Sequence, residues 1–251
     1  LPEGIHGGIE PAGIAGASIA AMLQSGARVA LLEAEDTPGY HTTGRSAAFW
    51  DESYGGPLVQ PLTTASGPWL RNPPAEFGGE SFLTERGSLT IARADEGAAL
   101  AQRAAEFAGS GVRLHHLDEA ALRTAAPMLS HEYTAALAEP DCADIDVARL
   151  HAAFLSAAKR RGADLLPRHR VMGIRRNRTW HIDTNAGPLT ADRIVNAAGA
   201  WASDVARMAG VPNIPITPLR RTVVQIAVEP AVPADAPLLI ALDGSFYVKP
   251  E

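Results

Sequence analysis

Two glycines, a helix-forming run and one glutamate carry the clearest chemistry in this sequence. In PAGIAGASIAAML, followed by VALLEAE, Gly13 and Gly16 hold the spacing of the second and third glycines of a dinucleotide-binding fingerprint. Lacking a side chain, Gly13 lets the backbone approach a pyrophosphate, and Gly16 lets a helix pack closely on a sheet. The helix starting there would turn its unpaired N–H groups toward the phosphates. Glu33 lies twenty residues after Gly13, at a strand end where a carboxylate can accept hydrogen bonds from both ribose hydroxyls. The glycines alone are a weak signal; the strand, helix and acid around them make it specific. Pro11 stands where the first glycine belongs, and Glu10 where a buried strand would carry an apolar residue. Proline cannot give a tight turn the torsional freedom of glycine, so a Rossmann-like unit without a nucleotide stays open at this stage.

The elements that must position these residues follow from periodicity. Small apolar side chains recur at helical spacing over 14–23, Gly26 ends that helix, and 28–32 reads as a short buried strand. Residues 37–48 are rich in Gly, Pro, Thr and Ser and read as loop. Helices are expected at 58–70, 98–108, 119–126 and 201–208, and an amphipathic helix over 146–161 with Asp146 as its N-cap. Strands are expected near 82–83, 88–92, 113–117, 171–175, 180–183, 194–197, 222–228 and 246–248. Alternating strands and helices around a strand-richer middle give an α/β chain, a Rossmann-like domain interleaved with a smaller α+β domain.

Composition narrows the function classes. The chain has 251 residues, a net charge of −6 and 46% hydrophobic residues, which suits a globular core and argues against a nucleic-acid surface. Its one cysteine, Cys142, excludes an intrachain disulfide and a thiolate metal cluster. No apolar run reaches the length of a membrane helix and no signal peptide opens the chain, so the default location is the cytoplasm. Asp141, Asp144 and Asp146 lack the glycine and distal glutamate of a calcium loop, and GRSAA around Ser46 lacks the glycine of a nucleophile elbow. No metal is expected.

From residue 37 onward the motifs resemble those of a family. GYHTTGRSAAFWDESYG is similar to the D-amino-acid oxidase and glycine oxidase superfamily of FAD-dependent oxidoreductases, and within it to the D-arginine dehydrogenase-like D-amino-acid dehydrogenases. The likeness continues through RNPPAEF, ADIDVARLHAAFL, VNAAGAWASDVARMAGV, PLRRT and LDGSFYVKPE, covering nearly the whole chain from Gly13. It implies FAD as cofactor, an FAD domain from 1–77 and 141–210, and a substrate domain from 78–140 and 211–251.

The resemblance also assigns residues. Gly13, Ala15, Gly16, Glu33 and Ala34 would hold the nucleotide, and Val171 would lie near the adenine. Thr42, Thr43, Gly44, Arg45, Ser46, Ala47, Ala48 and Phe49 would wrap the flavin side, with Gly199 of the NAAGA turn close by. For substrate it points to Tyr54, Arg221 and Tyr247. A guanidinium fork matches the two oxygens of an amino-acid carboxylate, which suits Arg221; Tyr247 would add a donor and Tyr54 would close the site. By residue type alone, paired arginines read as surface charge and a lone tyrosine in a strand as core. Phe49 stands where D-arginine dehydrogenase carries a histidine, and Ser88 where it carries the glutamate that holds a guanidinium. Without that carboxylate, neutral or hydrophobic D-amino acids, imino acids or N-methylated amines are the expected substrates.

The mechanism the resemblance implies is hydride transfer from the α-carbon to flavin N5, with the protein mainly orienting the substrate and no side chain required as nucleophile. The imine then hydrolyses to a 2-oxo acid and ammonia. The electron acceptor (oxygen, a quinone or a carrier) stays open, and with it an association with membranes. The sequence reads as the N-terminal portion of a longer chain, interrupted at Glu251 as the next strand begins. An inactive fragment is the alternative from another class. A nicotinamide-dependent dehydrogenase would keep the fingerprint but leave HTTGRSAA unexplained.

Overall fold

The computed structural model describes residues 12–23, 28–212 and 214–250; Glu10, Pro11 and Gly26 lie outside the described residues. The chain opens with α1 (Ile14–Met22), β1 (Ala30–Leu32), β2 (Phe49–Trp50) and α2 (Gln60–Arg71). It continues through β3 (Leu83–Glu85), β4 (Ser88–Arg93), α3 (Gly97–Glu106), β5 (His115–Leu117), α4 (Glu119–Ala125), β6 (Tyr133–Glu139) and β7 (Ala143–Ile145). Then come α5 (Val147–Arg160), β8 (Asp164–Leu166), β9 (Val171–Arg176), β10 (Trp180–Thr184), β11 (Gly187–Ala191), α6 (Ala202–Met208), β12 (Leu238–Ala241) and β13 (Tyr247–Val248). These elements divide into two compact units, the first from 1–47, 75–78 and 147–223, the second from 48–74, 79–146 and 224–251. Residues 48–74, grouped by sequence with the nucleotide-binding part, pack within the second unit.

In the first unit β1 runs parallel to β8, with Leu31 opposite Leu165, and all three β1 residues are buried. One side of this pair packs on the antiparallel sheet β9–β10–β11 through Ala30, Leu32, Ile182 and Ala191. The helix α1 buries Gly16, Ala17, Ala20 and Ala21, side chains small enough for close approach to α5. The facing stripe of α5 is Leu150, His151, Phe154, Ala157 and Ala158, an i, i+3, i+4 pattern with one polar member. It starts at Val147, directly after Asp146, where the amphipathic pattern placed its beginning.

The second unit is built on a five-stranded sheet in the order β13–β12–β4–β6–β5. Its strand β4 pairs parallel with β12 and antiparallel with β6, and both its faces are covered. Leu89 and Ile91 pack with Leu122 and Ala126 on the side of α4, while Ala92 packs with Leu100 of α3. A smaller antiparallel sheet, β2–β7–β3, carries Phe49 and Trp50 into the turn at 51–54.

Two expected strands do not form. Residues 194–197 carry no strand: the Asn196 side chain accepts from the Ala198 N–H at 3.2 Å and donates to the Ala202 carbonyl at 2.8 Å, a local alternative to a ladder. Residues 222–228, rich in β-branched side chains, are exposed throughout and outside any sheet. Strand propensity expresses fit to a half-buried pleated surface, and none lies beside them. Among the described residues, no helix is long and apolar enough to cross a membrane.

Gly67 tests the packing beneath the 51–54 turn. A Cβ there would lie 2.7 Å from Cζ2 of Trp50 and 3.0 Å from Nη1 of Arg71. In an exposed helix Gly→Ala stabilises by about 1 kcal/mol. Here Gly67→Ala is expected to destabilise by about 1–3 kcal/mol in urea unfolding, because the indole ring must move. A stabilised variant would show that the ring yields freely.

Candidate functional site

In the first unit the start of α1 and the turn at 39–44 meet. The Ile14 N–H, one of the helix-start donors without an intrahelical acceptor, donates to Thr43 Oγ1 at 3.0 Å. A Cβ on Gly13 would lie 3.2 Å from that same oxygen. The turn is closed on itself by a 2.7 Å hydrogen bond from the Gly44 N–H to the Gly39 carbonyl. A side chain at Gly44 would meet that carbonyl oxygen at 2.6 Å, and Gly39 has φ +75°, so both positions require glycine. Arg45 donates from Nε to the Tyr40 carbonyl at 3.1 Å and lies over the Tyr40 ring, and Ser46 Oγ donates to the Thr43 carbonyl. Thr42, Gly44, Arg45 and Ser46 are exposed, whereas Thr43, Ala47 and Ala48 are half-buried.

The other residues expected at the cofactor lie at or near element ends. Glu33 follows β1 and is buried, with one carboxylate oxygen accepting the Glu35 N–H at 3.0 Å; Ala34 beside it is exposed. Ala15 faces solvent on the first turn of α1, where Gly16 is buried. Val171 opens β9 and packs on the cluster around Ala30 and Leu32. Gly199, at φ +52°, begins a short 3-10 turn and is exposed. An electropositive helix start with bare backbone at Gly13, a hydroxyl-bearing turn beside it and a buried acid at the next strand end fit a dinucleotide.

The second unit gathers three of the expected side chains. Phe49 stands edge-on to Tyr54, ring centroids 5.2 Å apart, and to Tyr247 at 5.9 Å. Arg221 belongs to the first unit, on an exposed stretch without helix or strand. Tyr54 leaves a turn held almost entirely by buried carboxylates. Asp51 accepts the Tyr54 N–H at 2.8 Å and the hydroxyls of Ser53 and Ser88 at 3.1 and 2.7 Å. Glu139, at 1% exposure, accepts the N–H groups of Glu52 and Ser53 at 2.5 and 3.2 Å. Arg103 donates to the Ser53 carbonyl at 2.7 Å. The Ser88 hydroxyl is thus committed to Asp51.

This carboxylate cluster was missed from sequence, although YGG and the acids DES beside it marked a turn with charge to settle. Burial, and then the neighbouring charge of Asp51, push the Glu139 carboxyl up to about 7. The folded protein therefore keeps a proton that the unfolded chain releases near 4.5. That contribution to stability is fully present below about 4.5 and is lost as pH rises toward 7. Relative to Glu139→Gln, the wild type is expected to lose about 1–3 kcal/mol of unfolding free energy between these limits. Parallel pH dependences of the two proteins in urea unfolding would contradict this.

Comparison with known proteins comes from three directions. The family model described as FAD dependent oxidoreductase matches residues 12–251. The chain is 33% identical over 162 residues to hydrogen cyanide synthase subunit HcnC of Pseudomonas aeruginosa, covering 62% of this chain and 39% of that protein. It is 34% identical over 131 residues to mitochondrial dimethylglycine dehydrogenase of Mus musculus, covering 50% of this chain and 15% of that one. The crystal structure of glycine oxidase from Geobacillus kaustophilus superposes with a TM-score of 0.73 at 25% identity, covering 81% of this chain and 58% of that chain. The chain thus spans well under two thirds of the length of these proteins.

Proposed function

This chain belongs to the DAO family of FAD-dependent oxidoreductases, and from that premise we propose that it oxidises the carbon–nitrogen bond of small neutral amino acids or N-methylated glycines. The observation that carries the reading is the closed 39–44 turn seated against the start of α1, with Thr43 joined to Ile14. Gly13, Ala15 and Gly16 would hold the cofactor's diphosphate, Glu33 and Ala34 its ribose, and Val171 its adenine side. Residues 42–49 and Gly199 would border the flavin side. When bound, FAD would supply a hydride acceptor for oxidation at the substrate's α-carbon.

The chain's own groups bind and orient. By its chemistry the Arg221 guanidinium would suit a substrate carboxylate, and in the second unit the Tyr247 hydroxyl would offer a donor and Tyr54 a cover. The aromatic group Phe49, Tyr54 and Tyr247 offers ring faces and edges suited to a small amine and its N-methyl groups. Ser88, engaged with Asp51, offers no carboxylate for a cationic side chain. Two proteins similar to this chain bear the names of glycine and dimethylglycine, which supports a small substrate. For chiral substrates the D configuration is the form the sequence motifs favour.

A second reading rests on one observation: Leu219, Val224 and Ile226 are 85%, 71% and 74% exposed. Apolar surface of this kind asks for a cover, so the activity would then require a further polypeptide.

The test is anaerobic mixing of the purified protein with glycine, N-methylglycine, N,N-dimethylglycine, D-alanine and D-arginine, followed at the flavin bands. Bleaching by the small neutral compounds and not by D-arginine is expected. Preferential bleaching by D-arginine would overturn the substrate assignment, and a protein that retains no FAD would favour the second reading. Arg221→Met is expected to raise KM about 10- to 100-fold, the loss of a hydrogen-bonded charge pair, with a smaller change in kcat. Loss of kcat at unchanged KM would remove Arg221 from carboxylate binding.

A further inference from the structure

One buried polar side chain of the first unit has no role in the chemistry above. His151 is the only polar residue among the buried side chains of α5, on the stripe that faces α1. Its Nε2 lies 2.8 Å from the carbonyl oxygen of Ala12, a residue with no exposed surface. A carbonyl can only accept, so Nε2 carries the proton and the ring donates. Ala12 precedes the helix, whose first internal bond runs from the Ala17 N–H to the Gly13 carbonyl. Without the imidazole, a fully buried carbonyl at the entry to α1 would lose this donor.

The adjoining edge of the same ring, Cε1 and Nδ1, faces the 39–44 turn. A Cβ built on Gly39 would lie 2.8 Å from His151 Cε1 and 3.1 Å from Nδ1. The imidazole therefore occupies the space a side chain at residue 39 would need, with Ala12 at Nε2 and Gly39 beside the adjoining Cε1–Nδ1 edge. The same two segments are tied a second time by the Ile14 N–H donating to Thr43 Oγ1. Fixing two points on each segment sets both their separation and their tilt. A leucine would fill the volume but supply no donor, and an asparagine would keep polarity but fall short of Ala12.

We propose that His151 is a positioning residue of the cofactor site: donating from Nε2 to the Ala12 carbonyl and filling the space at Gly39 with Cε1 and Nδ1, it sets the gap between the start of α1 and the 39–44 turn that receives the diphosphate. This rests on reading that turn as the cofactor cradle. His151 itself touches neither cofactor nor substrate in this account. It acts through the backbone of residues 12–14 and 39–44.

Equilibrium binding of FAD and of ADP to wild type, His151→Leu, His151→Gln and His151→Asn tests it, with flavin fluorescence for FAD and calorimetry for ADP. The two ligands share the diphosphate, so His151→Leu is expected to weaken both by the same factor, on the order of 10-fold, the loss of one buried hydrogen bond. Glutamine can present an N–H at the distance of Nε2 and is expected to recover most of the affinity; asparagine is not. Equal affinities in wild type and His151→Leu, with a lowered melting temperature as the only change, would make His151 a packing residue and overturn the proposal. Should leucine prevent folding, the comparison of glutamine with asparagine decides, and equal affinities there overturn it equally. A wild type that binds FAD but not ADP would instead unseat the cradle reading.

Discussion

Between Gly39 and Gly44 the chain folds back so tightly that neither residue can bear a side chain, and much of the first unit's chemistry depends on that closure. The Gly44 N–H reaches the Gly39 carbonyl at 2.7 Å, and Gly39 takes a left-handed φ. Only this compact form brings Thr43 against the first amide of α1 and leaves room for the His151 ring. A helix start favours negative charge, and the hydroxyl-bearing Thr43 lies against it, which is the arrangement the proposed cofactor site would use. The small residues of α1 allow its close packing on α5, which brings His151 into reach of Ala12.

The second unit solves a different physical problem with opposite means. Its turn at 51–54 is gripped by the carboxylates of Asp51 and Glu139, which are accessible to almost no solvent. Burying like charges is costly, and the cost appears as a proton retained on Glu139 up to about 7. The return is local order: the N–H groups of Glu52, Ser53 and Tyr54 all end on a carboxylate. Tyr54 thus leaves a fixed turn, and its ring packs edge-on with Phe49.

Much of this was legible in the residues, and the misses have physical causes. The helices α1 and α5 announced themselves by apolar spacing, and Gly13, Gly16 and Glu33 by their separation. The strand β6, YTAALAE, was invisible because alanine and glutamate favour helices; its place between β4 and β5 overrides that preference. The reverse error, a strand at 222–228, trusted β-branched residues that have no neighbouring strand. His151 did leave a trace, as one polar residue in an apolar stripe, but only the fold shows which carbonyl it serves. Glu139 left none, since a strand-end glutamate is ordinarily solvated.

Hydrogen–deuterium exchange of the apoprotein and the FAD-loaded protein reads the backbone amides at the start of α1 and in the 39–44 turn directly. Slower exchange on FAD binding is expected in residues 13–18 and 41–47 together, since one diphosphate would lie between them. Binding of FAD that leaves both segments exchanging at the apoprotein's rate would contradict it.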